Sequence, residues 1–517
     1  MPVSRRDQPQ RPGREHRTFH AERAWLSDAN GDHARVESDV LIEVSDGRFS
    51  AVIPGVPVGA AATDGALRLN GLTVPGLANA HSHAFHRALR GRTHGGKGSF
   101  WTWRDGMYAL AERLDPDAYY WLARATYAEM VRAGITCVGE FHYLHHGPGG
   151  TPYGDPNAMG AALMYAARDA GLRITLLDTL YLTANVDGTP PTGTQLRFSD
   201  GSADAWAKRV TALQGQPHAR VGVAAHSVRA IPADALPTVV AVAAGRPMHV
   251  HLSEQRAENV ACLAVHRATP TQLLADHGFL GPTATAVHAT HLNDIDRTAL
   301  GDSDTGVCFC PTTERDLADG IGPARALVDG GSPLSLGSDS HAVIDMFEEA
   351  RAIEMHERLR TELRGHFAVD ELMAAATLNG HRALGWDDAG AIAVGARADL
   401  VTLRLDGVRT AGADPSGAAI YAATAADVTH VVVDGATVVH DGRHATIDVG
   451  PALSAAVTPL WLPAEVVPAS SVAAPPGGTG PPGGTAPPGG PATSGGSAIF
   501  GGPATSGGPA TSGKAPA

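Results

Sequence analysis

Along most of the chain one unit recurs: an apolar run of four to eight residues, a turn, then a longer amphipathic stretch, the signature of strands alternating with helices. Eight runs stand out: LTVPGLANAHSH near 72–83, ITCVGEF at 135–141, LRITLLDT at 172–179, RVGVAAHS at 220–227, PMHVHLSE at 247–254, ATAVHAT at 284–290, GVCFCPTT at 306–313 and PLSLGSDS at 333–340. They are apolar almost throughout rather than alternating, as parallel strands covered on both faces must be. Helix boundaries between them are legible: Asp115 can cap a helix with Pro116 in its first turn, and Gly134 can end it in the left-handed conformation. Eight such units predict an α/β fold, a closed (β/α)8 barrel.

The flanks follow another rhythm. VESDVLIEVSDGRFSAVI before the first run, and ARADLVTLRL and ADVTHVVVDGATVVHDGR after the last, alternate and turn at Asp-Gly pairs. They predict a small accessory β-sandwich built from N- and C-terminal segments. The domain plan is then a disordered lead-in at 1–18, sandwich at 19–72, barrel at 73–390, sandwich again at 391–462 and a disordered Pro/Gly/Ser/Thr-rich tail at 463–517, where PPGGT and GGPATS recur.

Composition narrows the partners. A net charge of -13, from 40 basic and 53 acidic residues, repels nucleic acid and acidic lipid. No stretch approaches the roughly 20 apolar residues that span a bilayer, and the N-terminus lacks a signal-peptide core. Cys137, Cys262, Cys308 and Cys310 sit in apolar segments without paired spacing, which suits buried thiols in a reducing compartment. The expectation is a cytoplasmic enzyme acting on a small molecule, without nucleic-acid or membrane partners.

In a parallel barrel the reactive groups gather where strands finish. His81 and His83 end the first strand, and period-two geometry turns both imidazoles to one side. Alone, an HxH among 25 histidines carries little. The pattern tightens because His251 ends the fifth strand, His288 the sixth and Asp339 the eighth. His81, His83, His251 and Asp339 offer three nitrogens and a carboxylate to one divalent ion, best matched by Zn2+, with a position left for water. His249 is an alternative to His251, which is preferred because Glu254 follows it by three residues. Glu254 is the candidate proton shuttle, Asp339 a second proton acceptor and His288 a stabiliser of developing charge. The fourth strand has no lysine to bridge two ions, so one metal is expected.

PGLANAHSH, HLSE, HATH and GSDS resemble, in order and position, the amidohydrolase superfamily across residues 20 to 450. AHSHAFHRALRG, SFWTWRDGMY, GEFHYLHH, AAHSVRA, HLSEQ, CPTTE and GSDSH narrow the resemblance to formimidoylglutamate deiminases. That resemblance implies a single zinc ion and hydrolysis of N-formimino-L-glutamate to N-formyl-L-glutamate and ammonia in histidine degradation. It also implies that Arg104, Tyr143, His226 and Arg229 hold the glutamyl part, and it suggests a homodimer. The arginines make chemical sense, since a dicarboxylate substrate needs planar cationic forks.

Trp101, Trp103 and Tyr108 are read with Arg104 as an aromatic loop over the mouth. Three positions depart from the family pattern: His86 stands where glutamine is usual among the substrate contacts, and Asp316 and Ala318 replace asparagine and glycine after the seventh strand. Two other readings compete. A deaminase of purine, pyrimidine or triazine rings would share the metal residues but want flat apolar walls in place of two arginines. A non-catalytic barrel would have lost a ligand or the shuttle acid.

Overall fold

The computed structural model describes residues 17–462 except 29, 32, 95–97 and 99. The expected disordered tail lies outside these residues, as does all but the last two positions of the expected lead-in.

Two eight-stranded sheets organise the described chain. The outer sheet takes β1 (Arg17–Leu26), β2 (Arg35–Ser45), β3 (Arg48–Ile53) and β4 (Leu67–Pro75) from the N-terminal side. The barrel follows with β5 (Leu77–Ser82), β6 (Ile135–His142), β7 (Arg173–Leu180), β8 (Ala219–Ala225), β9 (Met248–Leu252), β10 (Ala284–His288), β11 (Gly306–Phe309) and β12 (Leu334–Leu336). Then β13 (Leu400–Leu403), β14 (Val428–Val433), β15 (Ala436–His440) and β16 (Arg443–His444) complete the outer sheet. Its order is β16-β15-β14-β13-β4-β1-β2-β3, antiparallel except for the β1–β4 pair. Phe19, Ile42, Phe49, Leu69, Leu400 and Val432 give it a core of its own.

The barrel strands pair in chain order, all parallel. Closure falls between β5 and the residues just beyond β12, where Ser82 bridges Asp339. Asp339 N donates to His81 O at 3.0 Å and His83 N to Asp339 O at 3.2 Å. A buried side-chain relay reinforces this seam. Asn79 Nδ2 donates to Ser338 Oγ at 2.7 Å, Ser338 meets His341 Nδ1 at 2.9 Å, His341 Nε2 meets Ser82 Oγ at 3.2 Å, and Ser82 donates to Glu140 at 2.9 Å. Ser338, His341 and Ser82 each have one partner to give to and one to receive from, between a donor at Asn79 and an acceptor at Glu140, which is what a buried polar chain needs to be worth keeping.

Two expectations change. The first apolar run is not one strand. It breaks at Gly76, and the part before the glycine belongs to β4 of the outer sheet while the part after begins the barrel. A side chain on Gly76 would collide with Thr136 and Asp399, so only glycine lets the chain pass between the two sheets there. The aromatic segment is not a loop but helix α1 (Phe100–Ala111), whose Phe100, Met107, Leu110 and Ala111 are buried at helical spacing. The next helix, α2 (Pro116–Arg132), begins as its sequence predicts: Asp115 accepts from Ala118 N at 2.8 Å, a cap worth about 1 kcal/mol, and Gly134 follows its end at φ 93°.

Arg173 of β7 ties barrel to outer sheet. It is fully buried and pairs with Asp399 and, at 3.0 Å, with Asp434. No helix among the described residues is long and apolar enough to cross a membrane.

Candidate active site

Each strand that carries a candidate residue ends at the same mouth. His81 and His83 leave β5, His251 lies on β9, His288 closes β10 and Asp339 follows β12; all five are buried. His81 Nε2 stands 3.1 Å from His251 Nε2 and 3.5 Å from Asp339 Oδ1, and His83 Nε2 is 3.4 Å from the same oxygen. The backbone bends sharply to place them. Ser253, His288, Ala289, Asp339 and His341 all have φ between 39° and 69°, a region that non-glycine residues occupy at a cost of about 1–3 kcal/mol each and that clusters at functional sites.

Hydrogen bonds settle which ring nitrogens carry protons. His83 Nδ1 faces Phe141 O at 2.8 Å and His251 Nδ1 faces His226 O at 2.9 Å. A carbonyl can only accept, so both Nδ1 atoms donate and both Nε2 atoms hold lone pairs. Those lone pairs point at a carboxylate oxygen or at another imidazole nitrogen. Where His83 turns its lone pair to the Asp339 carboxylate, acceptor faces acceptor in a buried site, an arrangement that a cation would satisfy. His81 Nδ1, also buried, has no hydrogen-bond partner among the described residues. The donor set of neutral imidazoles and one carboxylate fits a divalent ion of borderline softness.

The electrostatics agree. Burial depresses His81, His83 and His251, with His83 brought down to about 3, so these rings stay neutral. For Asp339 burial works upward, but His81, His288 and His83 hold it well below the usual carboxylate range. His288 runs the other way: burial opposes protonation, yet Glu254, Glu314 and Asp339 lift it to about 10. Its Nε2 is 3.9 Å from Glu254 Oε1 and 3.7 Å from Asp339 Oδ2. Burial raises Glu254, with Asp339 and Glu258 adding to the effect against His288 and Arg229.

One cavity opens above this group, and His86, Arg104, Tyr143, His226 and Arg229 all line it together with His83, His251, Glu254, His288 and Asp339. His86 Nε2 meets Tyr143 OH at 2.9 Å. Arg104, on α1, lies over Trp101 at 4.4 Å and Tyr108 at 5.4 Å, and its buried Nε has no hydrogen-bond partner among the described residues. Arg229 is held from behind: Nε donates to Glu258 at 2.7 Å, and a terminal nitrogen is 3.5 Å from Glu254. Phe100, Met107, Tyr181 and Phe198 supply apolar wall.

A profile described as the Amidohydrolase family matches residues 72–438. The chain belongs to the amidohydrolase family. It is 36% identical over 446 residues to a formimidoylglutamate deiminase of Pseudomonas aeruginosa, covering 82% of this chain and 95% of that one. A 5'-deoxyadenosine deaminase of Methanothermobacter thermautotrophicus is 30% identical over 386 residues, 72% of this chain and 83% of the relative. Among solved structures, an amidohydrolase from Brucella melitensis superposes with a TM-score of 0.78 at 30% identity, covering 86% of this chain and 99% of that one.

Several residues that shape the site of this amidohydrolase escape a reading of its sequence. Glu258 accepts from Arg229 and from Ser253 N at 3.0 Å, so it orients an arginine and the Glu254 turn together. Glu314 accepts from Cys310 N at 2.9 Å and faces His288 Nδ1 at 3.4 Å. Glu140 receives Ser82 Oγ and Ala84 N, steadying the HxH turn, and burial pushes it up to about 8 despite those bonds. Glu258 and Glu314 open helices, where glutamate ordinarily faces solvent; Glu140 alone left a signal, as a carboxylate inside an apolar strand. The alternative ligand His249 points elsewhere, with Nε2 3.0 Å from Ala383 O. At the departures from the family pattern, Asp316 pairs with His94 at 2.6 Å and Ala318 takes φ 60°, the conformation a glycine would hold without strain.

Proposed function

We propose that this amidohydrolase hydrolyses N-formimino-L-glutamate, replacing the imino nitrogen of the formimino carbon by water's oxygen and releasing ammonia and N-formyl-L-glutamate, a step of histidine degradation. The observation that carries the reading is the pairing, in one cavity, of a buried imidazole-carboxylate group with two arginines, one of which has a buried Nε–H without an acceptor among the described residues. A dicarboxylate anchored by those arginines would present its far end to the imidazoles. The 36% identical deiminase supports the same substrate.

His81, His83, His251 and Asp339 would hold one divalent ion, zinc by donor chemistry, which when bound makes water acidic and the formimino carbon electrophilic. Glu254 has the proton's task. It sits between Arg229 and His288, close enough to the mouth to take a proton from the attacking water and return it to the departing nitrogen. His288, tethered at Nδ1 by Glu314, directs Nε2 toward the centre where charge develops. Asp339, ionised at the outset, would accept the water's second proton once the tetrahedral centre has formed and pass it on as ammonia leaves. Arg104 and Arg229 grip the substrate carboxylates, while Tyr143, His86 and His226 fix the chain between.

Aromatic walls at Phe100, Trp103, Tyr181 and Phe198 favour a second reading, deamination of a flat heterocycle. The test measures ammonia released by the zinc-loaded protein from N-formimino-L-glutamate, 5'-deoxyadenosine, guanine and cytosine. The expected result is turnover of the first alone, abolished by a chelator and restored by zinc; faster turnover of any ring compound would overturn the assignment.

A further inference from the structure

A second set of imidazole and carboxylate groups lies on the outer sheet. His430, His440 and Asp441 bring ligand atoms within 4.8 Å of one another, and none of the three lines the barrel cavity. Sheet register creates the pair: β14 and β15 run antiparallel with Val431 opposite Val439, so His430 and His440 flank that position on neighbouring strands. Their rings sit 4.7 Å apart at 78°. Asp441 and Gly442 then turn the chain with φ 48° and 71°, and Gly442 N donates to Thr429 O at 2.8 Å. That turn folds the Asp441 carboxylate back over both rings. Oδ2 is 3.2 Å from His440 Nδ1, and Oδ1 is 3.9 Å from His430 Nε2.

Proton bookkeeping shows what the arrangement lacks. Thr429 Oγ1 donates its one hydrogen to Thr402 O at 3.2 Å, so toward His430 Nδ1, 3.1 Å away, it can only accept. His430 Nδ1 therefore carries the hydrogen, and Nε2 turns a lone pair toward Asp441. The 3.9 Å gap exceeds the roughly 2.7–3.2 Å of an N–H···O bond but matches two contacts of about 2.0–2.2 Å to a single ion. The buried group His142, His145 and Asp178 offers the same residue types without that gap, because Arg209 and Trp206 already occupy the Asp178 oxygens.

We propose that His430, His440 and Asp441 form a second metal site, taking one divalent transition ion of the imidazole-binding class, Zn2+, Cu2+ or Ni2+, with its remaining positions open to water. The site is independent of the barrel ion and of the substrate assigned above. It is tested on the untagged full chain, stripped with a chelator and dialysed to equilibrium against Zn2+. Two ions per chain are expected for the wild type and one for His440→Ala, which keeps the barrel ion and the deiminase turnover. His440 is half exposed, and circular dichroism checks that the variant folds. Asp441→Asn retains a residue tolerant of positive φ and should weaken the second ion by roughly tenfold or more. A wild type that binds a single ion, or a second ion that survives both substitutions, would overturn the proposal.

Discussion

The mouth group and the group formed by His142, His145 and Asp178 contain the same residue types, both fully buried and both at barrel strand ends. They differ in what faces the carboxylate. Asp339 meets the neutral imidazoles of His81 and His83, and the one protonated ring beside it, His288, is shared with Glu254 and Glu314, so no positive charge is committed to Asp339 alone. Asp178 meets the two-pronged guanidinium of Arg209 at 2.7 and 2.8 Å and the Trp206 indole at 3.0 Å, while Asp200 takes Arg209 from the other side at 2.8 Å. Its positive charge is already present. Spacing of histidine and aspartate thus nominates a metal site, and the counter-charge already in place weighs for or against it.

Substitutions can break or sharpen that contrast, and the largest effect belongs to the mouth. Glu254→Gln should lower kcat by about 10²- to 10⁴-fold with zinc content unchanged, whereas Asp339→Ala should lose zinc and turnover together; elemental analysis beside steady-state kinetics separates the two. Retained activity in Glu254→Gln would remove the proton-shuttle role.

Next in size is Arg209→Leu. It strands Asp178 and Asp200 and should cost about 3–5 kcal/mol of stability by denaturant titration, without changing zinc content. Its pH dependence has a definite sign. Against burial, Arg209 and neighbouring histidines hold both carboxyls below their usual range. Groups of this kind contribute fully above the unfolded value near ~4 and lose that contribution as pH falls through the folded one. Wild-type stability should therefore drop on acidification below that range, and the drop should be shallower in Arg209→Leu.

The smallest effect is His145→Gln. Loss of the ring's 2.9 Å bond to Thr179 O should cost about 1 kcal/mol and leave zinc content and kcat unchanged. A fall in zinc content would return the second group to the list of metal sites.

Much of this was legible beforehand because it is periodic or local. Apolar runs marked the staves, the HxH spacing put two rings on one face, and Asp115 with Pro116 marked a helix start. The misplaced features depend on neighbours distant in the chain. The first apolar run could not reveal its break at Gly76, because the Thr136 and Asp399 side chains that forbid a Cβ there come from β6 and from the residue before β13. An aromatic segment reads as a loop until the barrel rim buries Phe100 and Met107 on one face. Glu258 looks like a helix-opening surface acid until Arg229 arrives from the loop after another strand.

By itself the sequence determined the barrel, the accessory strands, the ends at which reactive side chains gather and the chemical types available there, since these follow from period, strand count and residue identity. Tertiary structure alone decided how each carboxylate is countered: Asp339 by a His288 it shares with Glu254 and Glu314, Asp178 by the clamp of Arg209, and Asp441 turned back over two imidazoles. Electrostatic balance is summed over neighbours in space, and fewer than half a dozen ångströms separate residues that stand a hundred or more positions apart along the chain.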